Sequence, residues 1–286
     1  MLILSLILVH LIADFYMQTD EMVVDKMKNI KKHIGHHFLV NVLVLTVFYL
    51  SSSKEVSITS LIFSLLFIVS SHFMIDILKI RLLDTLKISN EENLKRASFF
   101  MIDQLIHLGI ILLAGQFFLG IKLAGIHEFF LNGKELGTTN SVLFIFIIMI
   151  LATSVSGHMI KILLGSLPNQ LLTFEGKYTF KNERQEAQYA KNYTGNRALT
   201  EEYNYTIFSK HDLSRGKLIG YIERLLVIML TFYSAYPAIG FIVAAKSIAR
   251  FKQMDDRNWA EYFLLGTLTS MFIGITLGIL LREVLT

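Results

Sequence analysis

No cysteine occurs anywhere in the 286 residues. Disulfides, thiolate zinc sites and cysteine nucleophiles are excluded together, so any bound metal must be held by His, Asp, Glu or a backbone oxygen. Proline is scarce, with two residues, and there is a single tryptophan. Charged residues make up only 17% of the chain against 53% hydrophobic ones, and the mean hydropathy is +0.53. That balance excludes an ordinary soluble domain. Also missing are a GxSxG nucleophile elbow, a P-loop, a GxGxxG turn and an HExxH helix. Serine hydrolases of that type, P-loop NTPases, dinucleotide enzymes and the commonest metalloproteases therefore have no support. The net charge of +4 carries no nucleic-acid meaning here, because basic residues in so apolar a chain mostly report topology.

What the chain does have is apolar runs, several near the about 20 residues of helix that cross a bilayer. They predict an all-α, polytopic helical membrane protein with about eight transmembrane helices, at 1–18, 34–52, 59–78, 98–119, 141–165, 218–236, 237–251 and 259–281. The seventh run is short. With the sixth, from which Tyr236-Pro237 breaks it, it would form a hairpin that only partly spans, leaving seven crossings. The first run has no basic leader and no small-residue cleavage site after it, and is expected to be a retained helix. The chain thus divides into a four-helix domain (1–120), a fifth helix (141–165), a polar, Tyr-rich insert (166–217) and a C-terminal hairpin with a last helix (218–286). Lysines and arginines concentrate after the first, third and fifth runs, as at Lys26, Lys28, Lys31, Lys32, Lys79, Arg81, Lys87, Lys95 and Arg96. These loops and the insert are expected on the cytoplasmic side, which puts both termini outside if there are eight spans.

Ionisable residues recur inside the runs at one spacing. The pairs are His10 and Asp14, His33 and His37, His72 and Asp76, and Asp103 and His107. Each is spaced i, i+4, which places both side chains on one helix face. Counted from the nearest charged flanking residue, the pairs lie roughly 5–10 Å inside the cytoplasmic boundary at about 1.5 Å per residue. They fall late in spans one and three and at the start of spans two and four, so their position follows the direction of each helix. Four helices would then present imidazole and carboxylate to one cavity open toward the cytoplasm. That chemistry suits a divalent transition metal, zinc or manganese first, held as one or two ions. The expected ligands are His10, Asp14, His37, His72, Asp76, Asp103 and His107, with one of Asp14, Asp76 or Asp103 left to act as base. His33 stays open between this group and an interfacial role, His36 points off the shared face, and His158 lies beside Lys161 with no acidic residue four positions away in the sequence. In the C-terminal part, Glu223, Lys246 and Arg250 either pair helix to helix or hold an anionic headgroup or phosphate.

The stretches HLIADFYMQTD, SHFMIDILK and FMIDQLIHL, the start of the His37 helix, and the C-terminal GKLIGYIERLLVIML, IGFIVAAKSIARF and AEYFLLGTL together resemble the uncharacterised bacterial membrane protein family DUF3307. The resemblance covers most of 1–115 and 216–281 and leaves 120–215 unmatched. It favours His37 over His33 as the usual histidine, and implies a multi-pass protein of the bacterial plasma membrane. Relatives encoded beside a SatD-type regulator imply a soluble partner at the cytoplasmic face, with the insert as its docking segment. The His and Asp motifs are more loosely similar to those of predicted membrane-bound metal-dependent hydrolases. The function expected first is therefore a metal-dependent hydrolase of a lipid-linked or phosphoester substrate. A proton- or ion-coupled transporter comes second, and a non-catalytic anchor or sensor for a cytoplasmic regulator third.

Overall fold

The computed structural model describes residues 1–19, 22, 25–51, 56–89, 91–121, 137–165, 176–181, 200–205, 210–251, 254 and 257–286, with side chains except at 176–181, 200–205, 210–215 and 258. In chain order the elements are α1 (Leu2–Phe15), α2 (Lys26–Ser51), α3 (Ile58–Thr85), α4 (Asn93–Phe118), α5 (Thr138–Ile150), a π-helical turn (Leu151–Val155), α6 (Ser156–Leu164), β1 (Gly176–Lys181), β2 (Thr200–Tyr205), α7 (Lys210–Phe232), α8 (Tyr236–Ala249) and α9 (Arg257–Leu285). Among the described residues, five helices are long and apolar enough to cross a membrane: α2, α3, α4, the continuous Thr138–Leu164 and α9 from Trp259. Their outward faces carry exposed residues such as Leu39, Leu43, Val47 and Leu50 on α2. Stripes of this kind would not face water in a monomeric soluble protein.

Several expected boundaries move. α1 has 14 residues, ends at Phe15 and spans about 21 Å, short of a hydrocarbon core of about 30 Å. α2 begins at Lys26, so His33 and His37 sit two to three turns inside it rather than where it starts. The cause is Asp25, whose carboxylate accepts from the Lys28 amide at 3.2 Å and caps a lysine-rich first turn with no breaker in it. The break at Tyr236-Pro237 stands, with Pro237 in the first turn of α8, where its missing N–H is harmless. α8 has 14 residues, as short as expected. The all-helical expectation holds except within the insert, where β1 and β2 pair antiparallel from Gly176↔Tyr205 to Lys181↔Thr200. Lys122, Lys134 and most of 166–217 lie outside the described residues.

α1 to α4 close into a ring in which each helix packs on the next and α4 returns to α1. The buried stripe of α2 runs Ile30, His33, His37, Asn41, Leu45, and that of α3 runs Leu61, Ser64, Ile68, His72, Asp76. These three- and four-residue steps describe one face of each helix. At one end the stripes are apolar: Leu2, Leu6, Leu45, Leu61, Ile68, Ile111 and Ala114 form a single cluster drawn from all four helices. At the other end the same stripes carry histidine and aspartate.

α5 packs on α1, and α6 on α4, joining the ring to α7 and α9. Gly274 and Gly278 let α9 approach α7 closely. A Cβ on Gly274 would lie 2.8 Å from Val227 Cγ1, and one on Gly278 2.6 Å from Thr231 Cβ. This is the small-residue packing that substitutes for a hydrophobic drive between helices in lipid. Arg224 of α7 is buried against the π turn. Its Nε donates to the Ala152 carbonyl, Nη2 to the Thr153 carbonyl at 3.4 Å and Nη1 to Ser270 Oγ at 3.2 Å. The wider turn leaves carbonyls off the regular ladder, and the guanidinium satisfies them while finding its own acceptors.

A candidate metal centre at the polar end of the four-helix ring

Every histidine and aspartate expected as a ligand is brought to one place. His10, His37, His72, Asp76, Asp103 and His107 are buried, and the Asp14 side chain is 11% exposed. The His37 and His72 rings lie 3.8 Å apart between centroids, His72 and His107 4.3 Å, and His10 lies 5.1–5.4 Å from His37, His72 and His107. Among the described residues, three groups have ligand atoms close enough to share an ion: His10, Asp14, His37 and His72; His33, His72 and Asp76; and Asp76, Asp103 and His107. His72 and Asp76 each belong to two of them.

His33 belongs to this set. It is 1% exposed, and its Nε2 stands 3.0 Å from His72 Nε2, 3.4 Å from Asp14 Oδ1 and 3.3 Å from Asp76 Oδ2. His72 Nε2 lies 3.9 Å from Asp14 Oδ1 and 3.5 Å from Asp76 Oδ2. Ligand atoms about 2.0–2.1 Å from a zinc ion, placed tetrahedrally, are about 3.3–3.4 Å apart. The His33, His72 and Asp76 atoms, at 3.0, 3.3 and 3.5 Å from one another, fall near that spacing. Two imidazole nitrogens facing each other at 3.0 Å also cannot both present lone pairs; a proton or a cation has to lie between them.

The unsatisfied atoms point the same way. His10 Nε2, His107 Nε2, Asp76 Oδ2 and Asp103 Oδ1 are buried without a hydrogen-bond partner. Each such atom costs about 1–3 kcal/mol when stranded, so four beside one another are a standing penalty that a cation would relieve. The tautomer of His107 is set for ligation: its Nδ1 donates to the Asp103 carbonyl at 2.8 Å, which leaves the Nε2 lone pair free. The residues present therefore fit a divalent ion held by imidazole and carboxylate.

A surrounding layer orients these groups. His37 Nε2 donates to Asp14 Oδ1 at 2.9 Å, and Asn41 donates to the His37 carbonyl at 2.8 Å. Gln104 Nε2 donates to Asp14 Oδ2 at 3.2 Å and lies 3.4 Å from Asp103 Oδ2. Lys26 Nζ donates to Asp76 Oδ1 and Lys79 Nζ to Asp103 Oδ2, both at 2.6 Å. The sequence held signals for several of these residues. His33 precedes His37 by one turn, and Lys26 continues the 30, 33, 37, 41 stripe of α2 backward. Lysines near the ends of membrane helices are common enough to hide this pair.

The remaining expected residues lie apart. Lys246 Nζ pairs with Glu223 Oε2 at 2.7 Å across α7 and α8, and Arg250 forms the C-terminal cap of α8. Among the described residues, no hydrogen bond or ion pair joins these three to the His and Asp cluster. His36 is half-buried outside the ring of packed imidazoles. His158 of α6 packs its ring 5.1 Å from Phe100 and 6.3 Å from Phe15, which are neighbours of the cluster.

No curated protein and no solved structure matches the chain. The stretch that does match spans α1 to α4 with all eight clustered residues, whereas the C-terminal pieces of the resemblance lie beyond it. Residues 2–131 match the model of the family described as "Protein of unknown function (DUF3307)", and the family resemblance is thereby shown over the four-helix ring.

Proposed function

We propose that this protein is a metal-dependent integral membrane hydrolase acting on a lipid-linked or phosphoester substrate at the cytoplasmic leaflet of a bacterial plasma membrane. One observation carries the reading: His33 Nε2, His72 Nε2 and Asp76 Oδ2 stand 3.0–3.5 Å from one another, the spacing of ligands on one zinc-sized ion, with further unpartnered His and Asp atoms beside them. One divalent ion would be held by His33, His72 and Asp76. Asp76, Asp103 and His107 offer a place for a second, and manganese is the alternative metal. A bound ion supplies Lewis acidity and lowers the pKa of water to about 7. Asp103, which shares its outer oxygen with Lys79 and keeps Oδ1 unpartnered, is the carboxylate best placed to take a proton.

The apolar cluster behind the centre favours this reading over transport. Asn41 and Ser64 extend the polar stripe one to two turns past the histidines. Beyond them Leu6, Leu45, Leu61 and Ile111 fill the ring from all four helices. A relay would need groups across the whole thickness, and carriers bind nearer the midplane. The basic loops supply the orientation, with the lysine-bearing mouth toward the cytoplasm and eight helices, two of them short, placing both termini outside. A SatD-type soluble regulator, with the insert 166–217 as its docking segment, is the partner this reading takes from the family resemblance.

The deciding experiment measures metal by mass spectrometry in detergent-purified protein, wild type beside His72→Ala. One or two equivalents of a transition metal, lost in the variant, support the proposal. A wild type that carries none and rejects added zinc and manganese overturns it, and proton or ion flux in liposomes would then establish transport instead.

A further inference from the structure

The two lysines at the mouth of the centre do more than balance its charge. Their pairing is crossed: Lys26 of α2 reaches Asp76 of α3, and Lys79 of α3 reaches Asp103 of α4. Lys79 lies three residues after Asp76 on its own helix yet serves the next one. Each lysine takes one oxygen of its carboxylate and leaves the other, Asp76 Oδ2 or Asp103 Oδ1, facing the histidines without a partner. Both aspartates are sealed, at 1% and 5% side-chain exposure, while both lysines are 22% exposed. An ammonium has three N–H donors, so each part-exposed lysine has donors left over beyond the one given to its aspartate.

The charge count gives these donors a use. Asp14, Asp76 and Asp103 bring three negative charges, and Lys26 and Lys79 return two positive ones. One divalent ion turns the remainder to a single positive charge, and a second ion raises it further. Excess charge of one sign in a poorly solvated pocket is costly until an opposite charge joins it. A neutral sugar or a peptide bond would leave the excess standing. A tetrahedral phosphate oxyanion removes it and offers several acceptor oxygens to both ammonium groups.

We infer that Lys26 and Lys79 bind the phosphate of the substrate at the mouth of the metal centre, which makes that substrate a phosphate ester. The inference rests on the metal reading above, and the shared chemistry covers both a lipid headgroup phosphate and a soluble one.

The test uses the full chain in detergent, loaded with zinc, with inorganic phosphate titrated calorimetrically and metal content measured on the same samples. Micelles containing phosphatidic acid, with phosphatidylcholine micelles as the blank, form the second arm. Lys26→Gln and Lys79→Gln should keep their metal and bind phosphate about 10–100-fold more weakly, the worth of one charge-assisted hydrogen bond. Lys26→Arg and Lys79→Arg should restore most of the affinity, which separates anion binding from misfolding. Tighter binding of phosphatidic acid than of free phosphate assigns the site to a lipid headgroup, and the reverse assigns it to a soluble ester. Metal-loaded wild type that ignores both ligands, or glutamine variants that bind phosphate as wild type does, overturns the inference while leaving the metal reading intact. Glutamine variants that lose metal and phosphate together also overturn it, since the lysines would then only hold the carboxylates. A wild type that takes up no metal removes both readings.

Discussion

Replacing His33 by alanine tests the centre most directly, because the sequence left this residue open and the structure groups it with His72 and Asp76 as possible ligands of one ion. Its Nε2 lies 3.0 Å from His72 Nε2, 3.3 Å from Asp76 Oδ2 and 3.4 Å from Asp14 Oδ1. Removing a residue that only orients a ligand lowers metal affinity by about 10–100-fold, so loss of a ligand itself should exceed about 100-fold. The stability consequence follows by mass action. At free zinc about 1,000 times the wild-type Kd, bound metal stabilises the fold by about 4.1 kcal/mol, and a 100-fold weaker site leaves about 1.4 kcal/mol. Thermal unfolding in detergent, with and without zinc, should show a large upward shift for wild type and a much smaller one for His33→Ala. His36→Ala should behave as wild type. Zinc-edge X-ray absorption should count one imidazole fewer in the His33 variant. Unchanged affinity and an unchanged imidazole count would refute the assignment of His33 as a ligand. A larger loss in His37→Ala than in His33→Ala would move the ion to the group of His10, Asp14, His37 and His72.

Three further outcomes are expected. Asp76→Asn keeps the side-chain shape but removes a charge shared with Lys26 and the two histidines, so metal content should collapse while the purified protein keeps its helical circular dichroism. Gly278→Val should lower the unfolding temperature through overpacking worth about 1–3 kcal/mol, whereas Gly240→Ala, with nothing within 4 Å of the new Cβ, should not; equal behaviour of the two would remove the close-packing argument. Arg224→Met removes a donor from the Ala152 and Thr153 carbonyls and should destabilise by about 1–3 kcal/mol, read as an earlier unfolding transition; an unshifted transition would mean the π turn closes without it.

The clustered site was legible because a membrane helix makes each ionisable residue conspicuous. His10 with Asp14 and His72 with Asp76 stand out against apolar neighbours, and their four-residue spacing states that they share a face. Lys26 and Lys79 escaped for the opposite reason, since lysines belong at helix ends anyway. The start of α2 was misplaced because hydropathy falls over KMKNIKKH while helix propensity does not, and Asp25 caps the segment regardless. The π turn could not be read at all. LATSV contains no breaker, and its partner Arg224 lies some seventy residues further along the chain. The Gly274 and Gly278 spacing was a local signature of close helix approach, present in GITLG and visible once α9 was seen against α7. Nothing in the polar composition of the insert indicated that β1 and β2 would pair.

The leucine and isoleucine layer beyond the histidines has a consequence for the membrane itself. A bilayer holds an electrical potential only while no water file crosses it, and three carboxylates with five imidazoles are the groups around which such a file would form. Side chains from all four helices fill the ring on one side of that cluster. On the reading proposed above, whatever is bound and released would pass through one leaflet only. Chemistry carried out there would be one-sided by construction: its reactants and products would share a compartment, and no gradient would need to be spent to keep them together.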